Sequence, residues 1–263
     1  MKHELRLFFV ALQFYTRLPV PAWVGYSESA LNQATRYLPL VGWLVGAVTG
    51  LVWLAGTYLI DADTGLLLGM TASVLLTGAF HEDGFADVCD GFGGGWTKER
   101  ILTIMKDSRV GTYGVVGLVL LLGLKFSVLR HMGGLVLSQP VLLLAYLVSA
   151  HALSRFMAVT VIRTHVYVRE TDDSKAKPVA QTIRPVILVV AGIWAGLPLL
   201  VTAWLAEQPL LLLLVPLLYG VKMGLTRYFT RWIGGYTGDC LGATQQVCEV
   251  SFYLFSAALW TLP

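Results

Sequence analysis

The sequence predicts an all-α polytopic integral membrane protein, with about seven transmembrane helices and an N-terminal interfacial helix. Three observations lead there. Only 13% of the 263 residues are charged and 56% are hydrophobic, whereas a soluble domain carries roughly a quarter charged residues. Uncharged runs such as residues 37–60, 132–150 and 185–206 approach the ~20 residues a helix needs to cross hydrocarbon. None of these runs alternates apolar with polar residues, as a barrel strand in lipid must.

Composition also excludes several classes. A net charge of +3 is weak for a nucleic-acid binder, and no basic patch interleaves with aromatics. Cys89, Cys240 and Cys248 are odd in number and lack metal spacing, so neither a disulfide framework nor a zinc site is expected. No repeat array or low-complexity tract interrupts the chain.

The elements follow in order. Residues 1–21, MKHELRLFFVALQFYTRLPVP, have a short apolar core broken by Gln13 and Arg17, then two prolines. There is no small-residue cleavage site, so no signal peptide is expected. A helix on the inner surface fits better. Candidate spans follow at residues 37–60, 64–80, 110–129, 132–161, 185–206, 209–225 and 250–262, the last short with Pro263 at its end.

Loop charge sets the orientation, because Lys and Arg stay on the cytoplasmic side. Arg6, Arg17 and Arg36, then Lys98 to Arg109, then Arg163 to Arg184, then Arg227 and Arg231 fall on one side if the N-terminus is cytoplasmic. Asp61, Asp63 and Glu207 fall on the other. Lys125 and Arg130 are mild exceptions.

The densest chemistry is HEDGFADVCDGFGGG, residues 81–95, directly against the second span. If that span continues as a helix through residue 90, Asp83, Asp87 and Asp90 fall within roughly 60° of one another at about 100° per residue. Phe85, Val88 and Cys89 form an opposite, packing face. Glu82 flanks the stripe. Three carboxylates side by side repel, and a divalent cation removes the penalty. Oxygen-only ligands favour Mg²⁺. Two other readings stand beside this one: an acidic helix end facing water, and the ion pathway of a transporter.

Gly91 and Gly93 to Gly95 are expected to end the helix and to let backbone N–H groups approach an anion. WTKERILTIMKDSRVGTYG, residues 96–114, then supplies Lys98, Arg100, Lys106 and Arg109, with Asp107 among them. Cations beside a carboxylate–metal site suit a diphosphate. Lys98 and Arg100 fit the topology signal equally well. Lys106, Asp107 and Arg109, at the entry to the third span, fit function better. Glu249 and Gln245 are weaker candidates, His81 is expected to hydrogen-bond at the interface, and His151 to be a satisfied buried histidine.

HEDGFADVCDG with IMKDSRVGTYG, FYTRLPVP near the N-terminus and GGYTGDCLGA at residues 234–243 resemble the cobalamin synthase family, the adenosylcobinamide-GDP ribazoletransferases of cobalamin biosynthesis. The resemblance runs over nearly the whole chain. It implies a single membrane-embedded catalytic domain, residues 1–263, in a bacterial inner membrane with its site facing the cytoplasm. It implies a Mg²⁺-dependent transferase acting in nucleotide loop assembly. The reaction joins adenosylcobinamide-GDP to α-ribazole or α-ribazole 5′-phosphate, giving adenosylcobalamin or its 5′-phosphate and GMP. On that reading Asp83, Asp87 and Asp90 hold the metal, and Glu82, Asp83, Lys106, Asp107 and Arg109 serve catalysis. Either Glu82 or Asp107 takes the hydroxyl proton. Arg17, Gly93, Gly94 and Asp239 bind substrate; Asp239 holds ribose hydroxyls or is a further metal ligand, although among glycines it also reads as a turn residue. A CDP-alcohol phosphotransferase-like enzyme is the alternative of similar chemistry, but its Ala-Arg pair and later spaced aspartates are missing here.

Overall fold

The computed structural model describes residues 2–169 and 183–260. The described residues are helical except for turns and one isolated parallel β-bridge between Tyr167 and Tyr236. The middle of the expected basic loop between Arg163 and Arg184, with Asp172, Asp173, Lys175 and Lys177 in its sequence, lies outside them.

Helix α1, Lys2–Tyr15, buries Leu7, Val10, Ala11, Leu12 and Tyr15 along one face. Such a stripe is what an amphipathic helix packs inward. Its Glu4 receives Arg36 at 3.3 Å and the Tyr37 hydroxyl at 2.7 Å, which ties α1 to the next elements. Ser27 caps α2, Glu28–Ala34, by accepting from the Ala30 amide at 3.2 Å. A short 3₁₀ turn then leads into α3, Leu38–Leu59.

Helix α3 is the bundle's close-packing centre. A Cβ on Gly42 or Gly46 would meet the α9 backbone at His151 or Val148, and one on Gly56 would meet Gly65 of α4, Ala62–Thr77. Small residues at this spacing let helix backbones approach in a membrane. Asp61 caps α4, accepting from the Asp63 and Thr64 amides at 3.0 and 2.9 Å.

The second span does not continue into the acidic run. Helix α4 stops at Gly78, and α5, Phe80–Gly94, leaves at 88° to it. Gly78 and Ala79 both take left-handed backbone, φ 67° and 59°, and their amides close the α4 end on Leu75 and Val74. Glycine adopts this conformation freely, whereas alanine pays about 1–2 kcal/mol.

Thr97 caps α6, Lys98–Ile104, and α7 runs over Thr112–Arg130. The expected fourth span is broken. A short helix, α8 at Gly133–Ser138, ends at Gln139, and α9 begins with Pro140 and runs to Thr164. Proline disfavours helical backbone at the residue before it. Helices α10, Pro185–Leu205, α11, Leu214–Ile233, and α12, Gly238–Trp260, complete the chain.

Among the described residues five helices are long and apolar enough to span, or up to six if the bent α4–α5 pair is one span. Of the seven expected spans, those at residues 64–80 and 250–262 are not among these five. Helix α4 has only 16 residues, and the helix holding the expected last span is α12, which carries Gln245, Gln246 and Glu249. Both exceptions to the loop-charge rule are paired. Arg130 meets Asp63 at 2.9 Å, and Lys125 meets Glu249 inside the bundle.

Candidate functional site

Helix α5 places the acids by its own periodicity. Asp83 is exposed, Asp87 half-buried and Asp90 buried. The packed face is not the expected Phe85–Val88–Cys89 stripe, whose members are half-buried. It is His81, Glu82, Gly84, Ala86, Asp90 and Gly91. Small residues dominate because α12 crosses closely: a Cβ on Gly84 would lie 3.0 Å from the Asp239 Cα. Phe85 and Cys89 still pack on α7, against Gly117.

That crossing brings Asp239 to the α5 acids. The principal charges facing Asp87 are Asp239, Asp83, Arg169 and Asp90. Asp239 accepts from Arg169 Nη2 at 2.7 Å and from the Thr237 hydroxyl at 3.3 Å. Burial pushes its carboxyl upward from its ordinary value; Arg169 and Thr237 oppose this, and Asp83 adds to it.

Asp90 has a different task. Its two oxygens accept from the Gly111 amide at 2.7 Å and the Gly114 amide at 2.8 Å. It thus anchors the N-terminus of α7, where free N–H groups attract a carboxylate. A Cβ at either glycine would strike that carboxylate. Among the described residues no three His, Cys, Asp or Glu side chains are drawn close enough to hold a metal ion. The donor chemistry of Asp83, Asp87 and Asp239 nevertheless suits a hard cation, being oxygen-only and collectively anionic.

Beside the acids lies an open hollow of about 640 Å³, lined by Asp90, Arg100, Asp107, Arg109 and Tyr113 among others. Asp107 and Arg109 form a fork pair, Nε to Oδ1 at 3.0 Å and Nη2 to Oδ2 at 2.7 Å. The Arg109 hydrogen bonds pull the Asp107 carboxyl down to about 2. Lys106 is exposed and does not line the hollow, whereas Arg100 does. The glycine cluster ends α5 as expected; the faces of Gly93 and Gly91 are filled by the Tyr113 ring and Met105, whereas Gly94 is exposed and lines the hollow. Arg17 is exposed at the α4–α5 corner, its amide on the Leu76 carbonyl at 2.8 Å, its side chain against Gly78.

Glu82 faces away from this site. It is buried and accepts from Gln246 Nε2 at 2.9 Å, joining a polar layer inside the bundle. There Glu249 takes Lys125, His151 at 3.2 Å and Gln245 at 2.7 Å, and Arg155 reaches His151 at 3.1 Å. His81 is buried as well, not interfacial. Its Nδ1 and the His151 Nε2 have no hydrogen-bond partner among the described residues. Sequence reasoning missed Arg155 and Arg169; neither sits in a motif, and only the folded chain gives them acidic neighbours.

Residues 7–257 match the cobalamin-5-phosphate synthase family. Similar proteins include the adenosylcobinamide-GDP ribazoletransferase of Shewanella frigidimarina, 46% identical over 97% of this chain and 95% of the relative. Those of Leptothrix cholodnii and Ralstonia nicotianae are 46% and 43% identical, covering 98% and 99% of this chain and 97% and 98% of the relatives. No solved structure matches this chain. With the match running almost end to end and the motif acids gathered at one helix crossing, the chain belongs to the cobalamin-5-phosphate synthase family.

Proposed function

We propose that this chain is a Mg²⁺-dependent adenosylcobinamide-GDP ribazoletransferase of the bacterial inner membrane, with its site open to the cytoplasm. It joins adenosylcobinamide-GDP to α-ribazole or its 5′-phosphate and releases GMP. One observation carries the reading. Asp83 and Asp87 of α5 meet Asp239 of α12, more than 150 residues later in the chain, and Asp90 on the same α5 lines a hollow that also holds Arg100 and Arg109.

Asp83, Asp87 and Asp239 would hold the cation. Bound there, it would neutralise charge on the phosphoryl oxygens. Arg100 and Arg109 bind the diphosphate in the hollow and balance the charge of departing GMP. Asp90 fixes the α7 N-terminus, and so the loop that carries Arg109. The ribazole hydroxyl loses its proton to Asp83, the exposed member of the pair. Asp107 is a poor base because Arg109 already claims it, and Glu82 points into the bundle. Positioning and fixed charge supply most of the rate.

Release of GMP from adenosylcobinamide-GDP by the purified protein in detergent tests this, with α-ribazole present and Mg²⁺ varied. Turnover that needs both is expected. No GMP release at any Mg²⁺ concentration, with solute movement in sealed vesicles instead, overturns it.

A further inference from the structure

Arg169 sits at the acid cluster with no motif to announce it. A short backbone pairing puts it there: the Val168 amide donates to the Tyr236 carbonyl, and the Tyr236 amide to the Val166 carbonyl, both at 3.0 Å. The chain segments carrying Arg169 and Asp239 are therefore pinned side by side. A Cβ on Gly235 would meet the Val166 carbonyl, so this approach needs glycine.

The guanidinium is held by one nitrogen. Nη2 donates to Asp239 Oδ2 at 2.7 Å and to the Met105 carbonyl at 3.0 Å. Nε is buried without a partner among the described residues. A guanidinium offers five N–H donors in a planar fork suited to two oxygens of one phosphate. Of the principal charges facing Asp87 and Asp239, Arg169 alone is a cation.

We propose that Arg169 is an exchangeable counter-ion. It holds Asp239 while the acid site lacks a divalent cation. When cation and a nucleoside-diphosphate ester bind, it yields Asp239 and turns its fork to the phosphoryl oxygens. The exchange keeps charge paired throughout: the acids pass from guanidinium to metal, and the guanidinium from carboxylate to phosphate. This rests on reading Asp83, Asp87 and Asp239 as a divalent-cation site.

The test separates the two. Mn²⁺ binding to the detergent-purified protein, without substrates, is followed by loss of the free-ion electron paramagnetic resonance signal. Arg169→Gln is expected to bind Mn²⁺ about tenfold tighter, because the competing cation is gone, while turnover falls about a hundredfold. A merely structural arginine would weaken both. Arg169→Lys, which keeps the charge and the fold, is expected to bind Mn²⁺ like the unaltered chain, yet turn over about tenfold slower for want of the fork. Equal or weaker Mn²⁺ binding by Arg169→Gln overturns the exchange while leaving the cation site standing, as does full turnover by Arg169→Lys. No Mn²⁺ binding by the unaltered chain overturns both.

Discussion

Asp83, Asp87 and Asp90 look equivalent along the sequence and have different surroundings in the fold: exposed, half-buried, and buried on two amides. Asp87→Asn is expected to lower kcat by roughly a hundredfold or more with the melting temperature nearly unchanged. Asp61→Asn, at the far end of α4, is expected to leave turnover intact. Equal losses in the two variants would detach turnover from the α5 acids. Asp107 gives a pH prediction. Its carboxyl lies at about 2 beside Arg109, below the usual carboxylate value, so it stays ionised as pH falls through the range where ordinary carboxylates protonate. Asp107→Asn should therefore leave the acidic limb of the rate profile in place. A shift of that limb would restore Asp107 as the base.

At the scale of elements, the Asp90 side chain and the α4–α5 corner decide how the site is held. Asp90 accepts from two amides, the buried one of Gly114 and the more exposed one of Gly111, and asparagine offers only one oxygen. Asp90→Asn should therefore cost about 1.5–3 kcal/mol of stability and reduce turnover through movement of α7. Lower turnover with unchanged stability would make Asp90 a ligand rather than an anchor. Ala79 holds left-handed backbone at φ 59°. Ala79→Gly is expected to raise stability by about 1 kcal/mol, read as a higher midpoint of thermal unfolding in detergent. No gain would mean that the corner carries no strain.

Across the whole molecule, the bundle buries two apolar clusters and a polar layer of Lys125, His151, Arg155 and Glu249. Removing one partner leaves a buried charge uncompensated. Lys125→Met is expected to destabilise by about 3–5 kcal/mol, and adding Glu249→Gln should recover part of that loss. An unaffected single variant would show that the layer is hydrated and unimportant for packing. The two ends of α7 are each held by a contact, one by Asp90 and the other by Arg130 with Asp63, and the proposed sidedness can be tested from both. In a chain with its native cysteines replaced by alanine, Trp96→Cys should react with an impermeant thiol reagent only in inside-out vesicles. Ser138→Cys should react only in right-side-out ones. The reverse pattern would put the acids on the wrong side for a cytoplasmic nucleotide.

The sequence by itself determined the helical membrane class, from its charge deficit and uncharged runs, and the motifs that mark the family. It also marked Asp83, Asp87 and Asp90 as candidates, because carboxylates beside an apolar run are too costly to be incidental, while Asp239 was marked by the family resemblance alone. Only the tertiary structure decided that α5 turns away at Gly78 and Ala79, since a left-handed pair inside a motif leaves no periodic trace. Only the fold separated Asp90 and Glu82 from the other acids, because a carboxylate's partner, whether a distant amide or glutamine, is set by helix crossing rather than by spacing. Arg169 stayed invisible for the same reason: its neighbour Asp239 lies 70 residues away, and only a folded chain makes them adjacent.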